Sequence, residues 1–332
     1  MTISPHDISV VVQGPVVGGY DEDPAMRLTN ACLESLRRHL PGAELILSTW
    51  KGSDIRGLNT DIVIQNADPG SVSYFRNHSV PYNLNRQLLS TSTGLARATR
   101  PFALKIRSDM RIDGLGFLEL FNCFPKRNPN WQVFGKRVVI CDLLTQHPWR
   151  TGFAFSPSDW FTFGKTDDVR LLWAAQMDSN HEVARYFENR PRPSPWRMPE
   201  MISRYNAEQY IWLHALRTHA PVSFNHGWDA SASNKRLAEL AFANNLVIAD
   251  ESRLGVRFCK YRPNRLARLV CYTHQDWLDL YRRYCDPAYP AGWMMSKWSR
   301  HVIRLAEIYA RKGCVRLPKH LRWLSGPLGR NE

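Results

Sequence analysis

Two uninterrupted apolar runs near the N-terminus, Ile8 to Gln13 (ISVVVQ) and Glu44 to Trp50 (ELILSTW), constrain the fold more than any other feature. Neither shows the strict alternation of a strand with one wet face, so both read as strands covered on two sides. Between them Leu28, Cys32, Leu36 and Leu40 recur every fourth residue, the spacing of one helix face. Asp23 and Pro24 supply an N-cap and first-turn pair, which predicts a helix from Asp23 to His39. Gly14-Pro15 stops the first strand and Pro41-Gly42 stops the helix. The result is a βαβ unit, and its parallel strands need helices on both faces.

The pattern continues with a strand over Asp61 to Gln65, a polar loop containing Asp68-Pro69-Gly70, a helix from Asn83 to Ala98 and a strand from Phe102 to Ile106. In such a sheet the loops after Gln13, Trp50 and Asp109 lie along one edge, at the carboxyl ends of the strands, where open α/β sheets bind ligands. Residues distant in sequence (Gln13, Gly14, Ser53, Asp54, Arg107 and Asp109) can meet there.

The stretch Lys105-Ile106-Arg107-Ser108-Asp109-Met110-Arg111 closes that strand with clustered charge. Strand residues alternate faces, so Leu104 and Ile106 pack inward while Lys105 and Arg107 share the other face. Two cations beside one carboxylate suit a phosphate or diphosphate, with or without a metal ion. The same residues also suit a plain ion pair closing the strand.

The second half changes style. Trp131 to Ile140 and Gly152 to Phe163 read as aromatic and β-branched strands with antiparallel pairing in a mixed sheet. Thr166, followed by Asp167 and Asp168, predicts a helix to Met177, and Pro199 opens one to Arg217. Asn189 to Pro199 is a surface loop or lid candidate. After Pro221 to Asn225 the chain reads as an all-helical tail, so a catalytic domain of residues 1–250 and a basic helical region of 251–332 are expected.

Charge separates the two parts. Leu254 to Glu332 carries 16 Lys/Arg against 5 Asp/Glu, a net +11 of the whole chain's +14. Trp277, Trp293, Trp298, Trp323, Tyr281, Tyr284, Tyr289 and Tyr309 are interleaved with those cations. That composition suits an anionic membrane surface; nucleic acid is disfavoured, since no nucleic-acid-binding motif occurs. The seven cysteines are odd in number and scattered without metal-ligand spacing, which reads as reduced thiols in the cytoplasm. MTISPHDISVVVQGP lacks a basic and apolar leader pattern, and no segment reaches the apolar length of a membrane span.

Several enzyme classes drop out on motif grounds. Gly14, Gly18 and Gly19 follow the first strand as G-x-x-x-G-G, so the dinucleotide fingerprint is absent. There is no phosphate-binding G-x-x-x-x-G-K-[ST] loop, no H-E-x-x-H and no G-x-S-x-G elbow.

In order along the chain, ISVVVQGPV, ELILSTWKGSD, NLNRQLLSTSTGL, LKIRSDMRI, FSPSDWFTFGKTDDVRLLW and AEQYIW resemble the WavE lipopolysaccharide-synthesis family over roughly Ile8 to His226. SDWFTFGKTDD and KIRSDMRI are the most distinctive pieces. The resemblance implies a GT-A-like, Rossmann-type mixed sheet flanked by helices, with a helical C-terminal extension. It further implies transfer of a sugar from a nucleotide-sugar donor to lipopolysaccharide core, O-antigen or capsule. Carried over, Gln13, Gly14, Trp50, Ser53 and Asp54 hold the base and ribose, and Asn85 and Arg86 approach the diphosphate with Lys105, Arg107 and Ser108. Asp109 stands where such folds place an Asp-x-Asp motif for Mn2+ or Mg2+. The motif is incomplete here, because Arg107 and Arg111 flank Asp109, and arginines can instead neutralise a leaving diphosphate directly.

Activation of an acceptor hydroxyl calls for a general base. Glu208, expected near the middle of its helix, and Asp159, at the Ser-Asp-Trp turn, are the candidates, with Glu208 first; Trp160 and Phe161 suit a sugar platform and, at least equally, core packing. A lipid-linked or lipopolysaccharide acceptor places the expected site of action at the inner face of the cytoplasmic membrane. Two alternatives stay open at this point: a nucleotidyltransferase-type nucleotide-sugar enzyme, and a non-catalytic peripheral membrane or nucleic-acid-binding protein.

Overall fold

The computed structural model describes residues 2–19, 21–23, 26–73, 81–192, 201–260, 269–290, 299, 302, 303 and 306. Its chain runs β1 (Ile8–Gln13), α1 (Leu28–His39), β2 (Glu44–Trp50), β3 (Ile62–Asn66), β4 (Val72–Ser73), β5 (Pro81–Tyr82), α2 (Leu84–Arg97), β6 (Phe102–Arg107) and β7 (Met110–Ile112). It continues with α3 (Gly116–Cys123), β8 (Val138–Cys141), α4 (Pro148–Thr151), β9 (Phe161–Lys165), α5 (Thr166–Leu172) and α6 (Ala207–Arg217). The remaining described elements are α7 (Ala232–Asn245), β10 (Leu246–Ala249), α8 (Glu251–Leu254), β11 (Val256–Phe258) and α9 (His274–Tyr284).

Seven strands form one sheet in the order β10-β8-β9-β6-β1-β2-β3. Every neighbouring pair is parallel except those made by β9, which runs against both β6 and β8. The register sets Gln13 opposite both Ser48 and Arg107, so the carboxyl ends of β1, β2 and β6 finish level with one another. Because β9 is reversed, its first residue lies at that same edge, with Phe161 opposite Ile106. The residues just before β9, Asp159 and Trp160, are thereby delivered to the edge that receives Arg107.

All six residues of β1 are buried, as the continuous apolar run requires. Gly94 lets α2 lie close on the sheet, since a Cβ there would stand 2.4 Å from Val11 Cγ1. On the other face Phe117 and Phe121 of α3 pack edge-on against Phe163 at ring separations of 4.9 and 5.3 Å. Full burial of a side chain of this size is worth about 1.5–3 kcal/mol.

Five local expectations are corrected. The helix expected from Asp23 starts at Leu28, after Arg27 and without a side-chain cap. The strand expected over Trp131 to Ile140 is confined to β8, because side chains remote in sequence occupy its backbone donors. Asp168 accepts from Gly135 N at 2.6 Å and Lys136 N at 2.9 Å, and Asn245 Oδ1 accepts from Val133 N at 2.8 Å. The strand expected from Gly152 begins only at Phe161, since Gly152 and Phe155 both adopt positive φ, 79° and 58°. The helix expected from Pro199 begins at Ala207, where Asn206 and Gln209 form a capping box; α5 likewise ends at Leu172.

The C-terminal part is not all helical. β10 is an edge strand of the main sheet, and β11 pairs antiparallel with β7. Trp277 and Tyr281 of α9 pack edge-on against Phe124, and Arg150 meets Asp276 at 3.0 Å with both side chains buried. Leu254, Val256, Tyr272 and Trp277 share one hydrophobic core with β1, so a division between residues 250 and 251 runs through continuous packing. Arg300, Arg304, Arg311 and Lys312 of the basic region lie outside the described residues, as do Trp293, Trp298, Tyr309 and Trp323.

Candidate active site

A cavity of about 380 Å3 opens at the carboxyl edge of β1, β2 and β6. Gln13, Gly14 and Pro15 line it from the end of β1, Trp50 from β2, Lys105 and Arg107 from β6, and Ser108 and Asp109 from the turn that follows. Arg86 and Gln87 reach it from the first turn of α2, Asp68 from the loop after β3, and Asp159 from the loop before β9. Lys260, just past β11, completes the wall.

The backbone at this edge is tightly tied. Ser108 N donates to Gln13 O at 3.0 Å, and Ser108 Oγ donates to Pro15 O at 2.6 Å. Gly14 has φ of 124°, a conformation that disfavours a side chain, and a Cβ there would stand 3.1 Å from Ser108 Oγ. Gln13 Nε2 donates to Ser90 Oγ at 2.9 Å, which fixes its amide under the cavity.

Charge in the cavity is paired. Arg107 donates from Nε to Asp109 Oδ1 at 2.9 Å and from Nη2 to Oδ2 at 2.7 Å, while its guanidinium lies 4.3 Å from the Trp160 ring centre. Arg86 makes the same two-pronged contact with Asp68, at 2.7 and 2.6 Å, which raises the guanidinium pKa and lowers that of the carboxyl. Lys105 is almost wholly buried; its Nζ donates to the main-chain oxygen of Asp159 and sits 4.5 Å from the Trp173 ring centre. Burial pulls the Lys105 pKa down to about 8, with Asp159 opposing the shift and Arg107 adding to it.

Several residues expected to share this site lie elsewhere. Ser53 bonds Thr49 Oγ1 at 3.2 Å and does not line the cavity. Asp54 is paired with Arg56 at 2.8 and 2.7 Å beside a smaller crevice. Asn85 is buried and clips the backbone of Asp178, donating to its oxygen at 3.0 Å and accepting from its nitrogen at 2.7 Å. Trp160 lies over Arg107, and Phe161 is in the core against Phe117. Asp68, Gln87 and Lys260 are cavity residues that local pattern did not single out. Lys260 reaches the cavity only through the β11–β7 pairing, whereas Gln87 follows directly from Arg86 on α2.

Asp159 and Glu208 are brought near each other but face different spaces. Asp159 lines the large cavity and also a second one of about 10 Å3; Glu208 lines only the second. Glu208 is in the first turn of α6 rather than mid-helix, and Arg204, four residues before it, donates to Asn225 O at 2.5 Å. Burial, then the Asp159 charge, pushes the Glu208 carboxyl up to about 8.

A Mn2+ or Mg2+ ion wants several hard oxygen ligands. At Asp109 both carboxylate oxygens accept from Arg107, and the described residues contain no group of three His, Cys, Asp or Glu side chains that could hold a metal ion. These residues do not fit a metal centre.

One reversed strand in an otherwise parallel seven-stranded sheet, with a charged pocket at its carboxyl edge, makes this a Rossmann-type mixed α/β sheet flanked by helices. The family model for WavE lipopolysaccharide synthesis matches residues 8–309, and the chain belongs to that family. The match runs past His226 into the basic region. Among solved structures the chain is similar to S. aureus TarS at 10% identity, with 96% of this chain and 50% of that one covered and a TM-score of 0.36. It is also similar to S. aureus TarS 1-349 at 11% identity, with 95% and 77% covered and a TM-score of 0.31. The chain thus spans about half the length of the first of these. No curated protein matches it.

Proposed function

We propose that the protein is a glycosyltransferase whose large cavity binds a nucleoside-diphosphate sugar and passes the sugar to a hydroxyl of a lipid-linked or lipopolysaccharide acceptor. The observation that carries this reading is the set of cations, Arg86, Lys105, Arg107 and Lys260, lining one cavity with the carboxyl of Asp159. The diphosphate lies across Arg107 and Lys105 at the ends of β6 and β1, and the guanidinium exchanges part of its contact with Asp109 for phosphate oxygens. Positive charge fixed in place before the reaction stabilises the leaving diphosphate as its bond to the sugar lengthens. Asp159 takes the proton of the attacking acceptor hydroxyl. A single displacement of this kind inverts the anomeric centre. No step passes through a metal ion.

Titration of UDP, GDP, CMP and TDP into the protein by calorimetry, each with and without manganese, tests the donor site. One nucleotide binds selectively, and its affinity is the same with and without manganese. It also weakens as the pH rises through about 8, because Lys105 loses its proton there. Failure of every nucleotide to bind sinks the reading, and manganese-dependent binding sinks the arginine-based neutralisation.

The basic C-terminal region supports action at an anionic inner leaflet, to which each nearby Lys or Arg contributes about 1 kcal/mol. No described helix is long and apolar enough to cross a membrane. Replacing Arg300, Arg304, Arg311 and Lys312 by Glu is expected to release the protein from vesicles containing phosphatidylserine, as raised salt does. Undiminished sedimentation with those vesicles refutes the membrane role.

A further inference from the structure

The small cavity behind Asp159 is a charged recess that the transfer chemistry leaves unused. Ser158, Asp159, Thr162, Trp173 and Glu208 line it, and at about 10 Å3 it admits at most a single water. Both carboxyl-bearing residues thus border one recess with room for no more than a single water. Asp159 Oδ1, Thr162 Oγ1 and Trp173 Nε1 are buried with no hydrogen-bond partner among the described residues. Among those residues no cation pairs with Glu208, while Lys105 is committed to the main-chain oxygen of Asp159. Other titratable groups facing this region are Cys141 from β8, a neutral thiol that burial pushes up to about 12, and, around Lys105, Arg107 and Asp109 on the donor side. Two carboxylates in such a recess cannot both be charged without large cost.

We propose that Glu208 is a positioning residue: it keeps a proton between itself and Asp159, and so holds the Asp159 carboxylate toward the donor cavity. This rests on Asp159 acting as the base. The proton stays with the pair while the acceptor's proton is taken on the cavity side of Asp159, and the second carboxyl prevents Asp159 from turning inward. Raising the pH through about 8 ionises Glu208, sets two negative charges across the recess and removes the restraint.

The test uses the full chain. Carbon-13 carboxyl NMR of glutamate-labelled protein should show one resonance, missing in Glu208→Gln, that titrates near pH 8 and moves to lower pH in Asp159→Asn. Rates are read as nucleoside diphosphate released from UDP-, GDP- and TDP-hexoses. Glu208→Ala loses roughly tenfold at pH 7, and the isosteric neutral Glu208→Gln recovers most of that loss; at saturating donor, where the weaker binding caused by Lys105 deprotonation does not register, it also flattens the decline in kcat above about pH 8. A Glu208 resonance that titrates in the ordinary carboxylate range, or one unmoved by Asp159→Asn, overturns the shared proton. Glu208→Gln as slow as Asp159→Asn also overturns it, since Glu208 would then be acting as an ionised base. Wild-type turnover by Asp159→Asn would refute the base assignment instead, and the carboxyl titration still decides the pair.

Discussion

Asp159→Asn is expected to lower kcat roughly a thousandfold while nucleoside diphosphate affinity, measured well below pH 8 so that Lys105 keeps its proton without the Asp159 charge, stays near the wild-type value. The substitution removes a charge and keeps the shape. Lys105 is held by the main-chain oxygen of Asp159, so the cation near the diphosphate keeps its place when the side chain becomes an amide. Asp159 Oδ1 has no hydrogen-bond partner among the described residues, so no neighbour hydrogen-bonded to that oxygen is released when the side chain becomes an amide. The loss should therefore fall on the chemical step and leave binding intact. Single-turnover rates alongside calorimetry of the selected nucleotide separate the two. Equal loss of binding and turnover would mean that Asp159 organises the donor pocket, and an unchanged rate would place the base elsewhere.

Arg107→Met is expected to damage both stability and donor binding, and the two effects can be separated. The Asp109 side chain is 7% exposed and the Arg107 side chain 24%, so removing the guanidinium leaves a carboxylate nearly buried and unpaired. Breaking a buried pair from one side costs about 3 kcal/mol, and the partial exposure of Arg107 keeps the figure at the low end of the range. In the double variant Arg107→Met/Asp109→Asn the orphaned charge is gone, so most of the lost stability returns in a denaturant melt. Donor affinity does not return: two charge-assisted hydrogen bonds to phosphate are missing in both variants, a loss of roughly a hundredfold. Recovery of nucleotide binding in the double variant would show that Arg107 serves only to hold Asp109.

The pairing of Arg107 with Asp109 also shows how far local sequence reaches. The residues and their strand-end position were legible, and both the ion pair and the phosphate-facing cations were anticipated. The structure contains the ion pair, and it lines the cavity with that same arginine. The competing metal reading rested on Asp109 as the one carboxylate, since Arg107 and Arg111 occupy both places where an Asp-x-Asp motif could put a second.

Element by element, legibility followed the range of the forces involved. β1, β2, α2 and β6 were found within a residue or so, because apolar runs and the turn residues that bound them are written in adjacent positions. β8 was overestimated because Asp168 and Asn245, about 30 and 110 residues further on, occupy the backbone donors that a longer strand would have used. The start of α6 was misjudged because a capping box at Asn206 outweighed the proline at 199 as a start signal.

By itself, then, the sequence determined a parallel α/β sheet with charge gathered at the carboxyl end of its fourth parallel strand, since hydrophobic periodicity and turn chemistry act between neighbours. Only the tertiary structure decided that Asp159 faces the large cavity and Glu208 the recess behind it. That choice depends on the reversal of β9, and strand direction is set by pairing across the sheet with β6 and β8, which no local pattern records.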